Sequence, residues 1–222
     1  MRGLFVTGTD TGVGKSVVAA AICAGLAAQG RRVAAFKPVV TGLDDPPGEW
    51  PYDHELLASV TGQEPSAVAP WQFAPPASPH FAAELAGVTL EPPELLAAAR
   101  RAGAYADALV CEGVGGLMVP ITPGYLVRDF ALDMRMPVIV AARPGLGTIN
   151  HTLLTLEAAR AAGLDAIAVV MTPWPSEPSR LEESNRETVE RLGNVPVATL
   201  PECTPSSLAD AAASLPLENW LG

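Results

Sequence analysis

Short runs of consecutive apolar residues alternate along the chain with segments in which apolar residues recur at helical spacing. The runs cover residues 4–6, 33–36, 108–111, 138–142, 166–171 and 195–200. A strand that is apolar throughout is buried on both faces, and such strands alternate with helices in parallel sheets. The pattern therefore predicts an α/β fold of three layers (αβα) with a mostly parallel central sheet.

The segments between these runs predict helices. Gly30 follows the first helix as a stop signal, and Asp53 precedes the second, which is short. Residues 64–79 contain five prolines, a composition that indicates a long loop, either functional or an ordered surface excursion. Because no linker or internal repeat interrupts the pattern, residues 1–222 are expected to form a single domain. The expected helices cover residues 16–28, 56–60, 92–102, 151–162 and 181–192.

Residues 8–16, with the sequence GTDTGVGKS, join the first strand to the first helix. Glycines let backbone N–H groups converge on an anion, and the N-terminus of a helix adds partial positive charge. Lys15 can reach the β- and γ-phosphates of a nucleotide, and the Ser16 hydroxyl can coordinate Mg²⁺. The strict motif has glycine at position 9, where this chain has Thr9. The alternative is a strand–turn–helix with a solvated lysine, but the context favours a phosphate-binding loop and a fold of the P-loop NTPase type.

Three further charged residues are candidates for the same site. Lys37 and Glu112 each follow a predicted strand, at the edge where parallel sheets bind their ligands. Asp53 joins them if its loop folds back over the sheet. Ser16, Asp53 and Glu112 could supply the oxygen atoms that Mg²⁺ prefers. Two alternatives stay open, because Asp53 also suits the N-cap of its helix and Lys37 could be a surface charge.

Composition narrows the classes of function. The 222 residues are 49% hydrophobic and 17% charged, which is typical of a globular protein with a large core. A net charge of −10 argues against nucleic acid or an anionic membrane surface as a partner. The longest apolar stretch, residues 17–28, is too short to span a bilayer, and no signal peptide is expected before the first strand. The three cysteines have no metal-like spacing, and the three histidines form no zinc motif, so we expect reduced thiols in the cytoplasm.

Four motifs together resemble those of the dethiobiotin synthetase family. They are residues 8–16, FKPV at 36–39 with TG at 41–42, EGVGG at 112–116 and LGTINH at 146–151. Their order and spacing are similar to the family's from about residue 3 to residue 171. The resemblance implies an Mg²⁺- and ATP-dependent ligase that closes a cyclic urea on 7,8-diaminononanoate with CO₂, in the penultimate step of biotin synthesis.

The resemblance also implies a role for each matching position. The implied catalytic residues are Lys37 and Lys15, and the implied metal ligands are Ser16, Asp53 and Glu112. Nucleotide binding is implied for Gly12, Val13, Gly14, Lys15, Ser16, Val17, Asp53, Glu112, Gly113, Val114, Gly115, Thr172, Pro173, Pro201 and Glu202. Contact with the diamine or its carbamate is implied for Thr11, Thr41, Gly147, Thr148, Ile149 and Asn150. Family members are homodimers, and the last four positions would meet the substrate carboxylate of the neighbouring subunit. Helix capping is the alternative for Asn150.

One position departs from the family pattern. Thr172 stands where most relatives have an asparagine that binds adenine, and the loop near Pro201 aligns only loosely. We therefore expect ATP to be used but other nucleoside triphosphates to serve as well.

Two other classes of function compete with this interpretation. A regulatory or partitioning P-loop ATPase usually carries a second lysine just after the first residue of the loop, where this chain has Thr9 and Asp10. An amidoligase would need an additional amidotransferase domain, for which 222 residues leave no room.

Overall fold

The computed structural model describes residues 2–221 and places a six-stranded parallel sheet at the centre of this part of the chain. The strands of this sheet are β1 (Gly3–Gly8), β2 (Val33–Phe36), β5 (Ala108–Gly116), β8 (Val138–Ala142), β9 (Ala166–Trp174) and β10 (Val197–Pro201). Two short pairs lie outside it: β3 (Val39–Val40) with β4 (Trp71–Gln72), and β6 (Pro120–Thr122) with β7 (Tyr125–Leu126).

The order of the strands puts the first strand in the middle. Across the sheet the order is β10-β9-β8-β1-β5-β2, and every neighbouring pair is parallel. The predicted α/β class with a parallel sheet is confirmed. Because β1 lies between β5 and β8, the loop that follows it opens at the centre of the carboxyl edge of the sheet. This is where open α/β sheets bind their ligands.

Helices cover both faces of the sheet. They are α1 (Lys15–Ala28), α2 (Asp53–Thr61), α3 (Pro65–Val68), α4 (Pro79–Leu85), α5 (Pro92–Ala102), α6 (Val127–Met134), α7 (Thr148–Ala161), α8 (Arg180–Gly193), α9 (Leu208–Ala211) and α10 (Leu217–Leu221). Two 3₁₀ turns, Pro205–Ser207 and Ala212–Ser214, flank α9. Within residues 2–221, no helix is both long and apolar enough to cross a membrane.

The alternation of side chains along β1 divides the interior into two cores. Leu4 and Val6 pack with α1, α2 and the C-terminal helices on one face. Phe5 points to the other face, where its ring centroid lies 6.1 Å from that of Phe130 on α6. Phe130 also lies 6.4 Å from the ring of Phe36 on β2. A strand buried on both faces explains why these runs contain no polar alternation.

The proline-rich segment differs from its prediction as a loop. Residues 64–79 contain α3 and β4, and Pro79 begins α4. Pro65 and Pro79 each occupy an N-terminal helix position, where proline's fixed φ suits the helix and its missing N–H costs nothing. The segment is therefore ordered structure, and its strand β4 pairs with β3.

Several element ends also differ. β5 continues past Glu112 to Gly116, and β9 continues past Met171 to Trp174, because both pair with neighbours beyond the apolar run. All three cysteines are free thiols in the structure. Burial raises the pKa of the Cys23 and Cys111 thiols well above the usual range, so neither is a ready nucleophile.

Candidate active site

A cavity of about 720 Å³ opens at the carboxyl ends of β1, β2 and β5. Its floor is the loop between β1 and α1, and its walls include Lys37, Asp53 and Gly115. The ordered proline-rich segment closes one side through residues 76–79. The cavity thus collects side chains from four separate parts of the chain.

The loop after β1 has the backbone of an anion site. Gly12 and Gly14 have φ values of 72° and 86°, which favour glycine. Within residues 2–221, the backbone N–H groups of Gly12, Val13 and Gly14 have no protein acceptor. Position 9 does not require glycine, because the φ of Thr9 is not positive and its N–H donates to the Ala141 carbonyl of β8 at 3.0 Å. The departure from the strict motif is therefore accommodated by sheet pairing.

Glu112 is the centre of the charged cluster. Its side chain is fully buried, and its Oε1 accepts hydrogen bonds from Lys15 Nζ at 2.9 Å, Ser16 Oγ at 2.8 Å and Lys37 Nζ at 2.6 Å. Its Oε2 has no partner among the described residues. A buried carboxylate is tolerated here because two cations offset its charge. Lys15 and Lys37 are the only lysines in the whole sequence.

Lys37 is held as a cation at the end of β2. The side chain is buried, and its Nζ also lies 2.9 Å from Asp53 Oδ2 and 3.3 Å from the Gly113 carbonyl oxygen. Burial opposes the charged form, but the carboxylates of Asp53 and Glu112 outweigh it and raise the pKa of Lys37 well above its usual value. The alternative of a surface charge is therefore wrong.

Asp53 joins the cluster, and the N-cap alternative is wrong. The N-cap of α2 is Tyr52, so Asp53 is the first residue inside the helix, with its carboxylate on Lys37. Burial opposes its ionisation, but Lys37 and then Lys15 lower the pKa of Asp53 far below its usual range. Asp53 is consequently a carboxylate at neutral pH.

The donor set fits a magnesium ion. Ser16 and Asp53 line the cavity with a hydroxyl and a carboxylate. Glu112 is buried behind Ser16, from whose hydroxyl it accepts a hydrogen bond, and its Oε2 is an unpartnered buried acceptor. In the part of the chain that the structure describes, no group of three or more His, Cys, Asp or Glu residues forms a metal cage. A site with only one or two carboxylates beside a phosphate loop suits Mg²⁺, because this ion keeps several waters and also binds phosphate oxygens.

The residues expected to touch the diamine fall into two groups. Thr11 and Thr41 line the large cavity. Thr148 lines a separate cavity of about 180 Å³, which shares Thr11 with the first. Gly147 is the N-cap of α7, so capping does not explain Asn150, which lies exposed in the first turn. Asn150 therefore lies at the surface of the subunit, whereas Thr148 is buried beside the smaller cavity.

The residues expected to bind the base lie on another side of the loop. Thr172 is buried, and its methyl carbon lies 2.7 Å from the point where a Cβ on Gly14 would stand. Pro201 pairs with Trp174, whose carbonyl accepts the N–H of Glu202 at 3.3 Å. Neither Thr172 and Pro173 nor Pro201 and Glu202 line the two cavities described above.

Arg143 is a candidate that the sequence interpretation missed. It directly follows β8, and its Nη2 and Nε donate to the Gly12 carbonyl at 2.7 and 3.2 Å. The signal was available, because Arg143 follows a buried strand as Lys37 does.

Solved structures of low sequence identity share the fold. A ParA family ATPase from Chlorobium tepidum matches with a TM-score of 0.55 at 13% identity, over 96% of this chain and 89% of that one. MinD from Pyrococcus horikoshii, solved with Mg-ADP, matches with a TM-score of 0.51 at 18% identity, over 99% and 88%. These likenesses confirm the P-loop type of fold and leave the activity open.

Sequence relatives are more specific. Residues 2–206 match a family model described as an AAA domain. The ATP-dependent dethiobiotin synthetase BioD of Anaeromyxobacter sp. is 41% identical over 88% of this chain and 91% of its own length. That of Brucella ovis is 38% identical over 92% and 90%, and that of Bacillus subtilis is 36% identical over 89% and 85%. The chain therefore belongs to the dethiobiotin synthetase family of ATP-dependent cyclo-ligases.

Proposed function

We propose that the protein closes a cyclic urea on 7,8-diaminononanoate with CO₂ and ATP in biotin synthesis. The single observation that carries the proposal is the convergence of Lys15, Ser16 and Lys37 on one buried oxygen of Glu112, beside the phosphate loop. Phosphoryl transfer depends mainly on positioning and on cations around the transferred group, and this cluster supplies both.

The nucleotide occupies the loop. The free N–H groups of residues 12–14 and those at the N-terminus of α1 donate hydrogen bonds to the triphosphate, and Lys15 exchanges its contact with Glu112 for phosphate oxygens. Other nucleoside triphosphates can use the same contacts, since none of them involves the base. Ser16, Asp53 and Glu112 hold Mg²⁺, which when bound supplies a positive charge that stabilises the phosphates.

The diamine occupies the rest of the large cavity, between Thr11, Thr41 and Lys37. One amine adds to CO₂ and loses a proton, which gives a carbamate. A carbamate oxygen attacks the γ-phosphorus, ADP leaves, and a carbamic–phosphoric anhydride forms. The second amine then attacks the carbonyl carbon, loses a proton and expels phosphate as the ring closes.

The residues of the chain assist these steps by charge and by position. The Lys37 ammonium group stays protonated and stabilises the negative charge on the carbamate and on the transferred phosphoryl group. The threonine hydroxyl groups hold the two amines on either side of the reacting carbon. Ring closure then becomes effectively intramolecular, which removes much of the entropic barrier.

The proposal includes a homodimer in the cytoplasm. Gly147, Thr148, Ile149 and Asn150 lie outside the large cavity at the start of α7, where Gly147 and Asn150 are exposed. They bind the carboxylate of a diamine held by the neighbouring subunit, through backbone N–H groups at the helix N-terminus. The free cysteines suit a reducing compartment.

The test is formation of dethiobiotin from the diamine, bicarbonate, ATP and Mg²⁺. We expect product only when all four are present, and phosphate release that depends on both diamine and bicarbonate. A partitioning ATPase would instead release phosphate without the diamine. Phosphate release that the diamine and bicarbonate do not change would refute the proposal.

A further inference from the structure

Arg143 connects two parts of the active site that lie far apart in the sequence. Its Nη2 and Nε converge on the Gly12 carbonyl oxygen, 131 positions away, at 2.7 and 3.2 Å. None of the site roles described above uses this side chain. Its contact is with backbone, so its role concerns the shape of the loop.

The contact fixes the direction of a peptide group. In a trans peptide the carbonyl and the following N–H point in opposite directions. Arg143 lies on the side of the smaller cavity, so the Val13 N–H is directed away from it. Gly12 is in the left-handed region at φ 72°, which glycine adopts at little cost, and the contact with Arg143 holds its peptide group in one orientation.

The turn that follows Arg143 is held by hydrogen bonds from α8. Asn185 on α8 is buried, and its Nδ2 donates to the carbonyls of Pro144 at 2.9 Å and Gly145 at 3.2 Å. The turn so fixed leads directly into residues 147–150. Hydrogen bonds therefore run from α8 through this turn to the phosphate loop.

From these contacts we infer that Arg143 is a positioning residue that holds the Gly12–Val13 peptide in the orientation that binds the triphosphate. The guanidinium group also offsets the partial negative charge of the Gly12 carbonyl next to an anion site. The inference rests on the proposed function only for the identity of the nucleotide.

The experiment compares Arg143→Ala and Arg143→Lys with Arg160→Ala. Arg160 is the matched control, because it is also exposed and also donates to backbone carbonyls, those of Gly193 and Asn194. The affinity for MgATP is measured by calorimetry without diamine, and kcat and KM are measured with it. Guanidinium ion is then added to each variant at low concentration.

We expect Arg143→Ala to weaken ATP binding about ten- to a hundredfold, the range that a charge-assisted hydrogen bond supports. Lysine cannot make both hydrogen bonds, so the ATP affinity of Arg143→Lys should lie between those of the parent and Arg143→Ala. Guanidinium ion should restore part of the lost affinity in Arg143→Ala alone. The control should bind ATP like the parent.

An ATP affinity of Arg143→Ala within twofold of the parent would overturn the inference, as would an equal loss in Arg160→Ala. If the parent forms no cyclic urea, the proposed function fails, but the affinities measured without diamine still decide the role of Arg143.

Discussion

Three donors share one buried carboxylate oxygen at the centre of this site. Glu112 Oε1 accepts hydrogen bonds from Lys15, Ser16 and Lys37. Asp53 adds a second negative charge through its ion pair with Lys37. Two carboxylates and two ammonium groups neutralise one another in this cluster. In the proposed function a triphosphate competes with Glu112 and Asp53 for the lysines, so we predict that the cluster rearranges when the triphosphate binds.

Replacement of Lys37 tests the catalytic role at the scale of one residue. Lys37→Ala should lower kcat by roughly 10²–10³, because the lost cation stabilises charge that develops during transfer. Steady-state kinetics measure the loss. Lys37→Met, which keeps the length of the stem, and thermal melting of both variants separate catalysis from folding. Turnover of Lys37→Ala within a few-fold of the parent would contradict the assignment.

The scarcity of lysine allows the rearrangement of Lys15 to be observed directly. Lysine labelled with ¹⁵N at Nζ should give two side-chain NMR signals, and Lys37→Met identifies them. MgATP should shift the Lys15 signal strongly, because its ammonium group exchanges Glu112 for phosphate. A Lys15 signal that does not move at saturating MgATP would show that the ion pair persists.

We predict that a few side chains at the carboxyl ends of β9 and β10 determine which nucleotide is used. Thr172 offers a single hydroxyl, and Pro173 has no N–H, so neither provides the two-point contact of an asparagine. We expect kcat/KM for ATP to exceed that for CTP or GTP by no more than roughly 10²-fold. The four triphosphates are compared at fixed Mg²⁺ and saturating diamine. A preference of about 10⁴ or more would mean that another residue binds the adenine.

At the scale of elements, prolines and short helices determine how the cavity is walled. Pro65 and Pro79 begin helices, and the N–H of Gly42 donates to the Pro75 carbonyl at 3.0 Å. This contact joins the segment after β3 to the segment after β4. Backbone hydrogen bonds between these two segments therefore hold this wall of the cavity in shape.

Helix α6 is the element whose packing is most easily tested. Phe130 is fully buried and contacts Phe5 and Phe36, which come from two strands. Phe130→Ala should lower the free energy of unfolding by about 3–5 kcal/mol, because it leaves a cavity between helix and sheet. Urea unfolding measures the change. Phe81→Ala is the control, since Phe81 is 44% exposed, and an equal loss in the two variants would contradict this packing.

At the scale of the whole molecule, the two halves of the proposed diamine site face different directions. Thr11 and Thr41 face the large cavity, whereas Asn150 and the 92% exposed Leu146 lie at the outer surface of the β8–α7 turn. We therefore predict that a diamine in contact with both groups is bound between two copies of the chain.

Subunit complementation tests this arrangement. Lys37→Ala removes a residue from the cavity, and Asn150→Asp places a negative charge where the substrate carboxylate is expected. Each variant alone should have little activity, but a mixture should regain activity, because a mixed dimer contains one site with both residues intact. Dethiobiotin formation and light scattering measure the two properties. An active monomer, or a mixture no better than its parts, would contradict the dimeric site.

The sequence alone determined the class of fold and the phosphate loop. Residues 8–16 are contiguous, so local backbone rules suffice to recognise them, and apolar runs such as residues 138–142 report burial on both faces whatever the partner strand. The sequence pattern did not predict α6 or the hairpin of β6 and β7. Both elements are stabilised by contacts with residues that are distant in the sequence. The single domain expected for residues 1–222 stays a prediction.

Only the tertiary structure decided the state of the charged groups. Lys15 and Lys37 lie 97 and 75 positions from Glu112, and Arg143 lies 131 positions from Gly12. No periodicity relates such pairs; the order of strands brings them together at one edge of the sheet. The structure also decided against the N-cap alternative for Asp53, because the position of its carboxylate depends on how its loop folds over the sheet. Local sequence fixes what each segment can form, and the packing of distant segments fixes which charges meet.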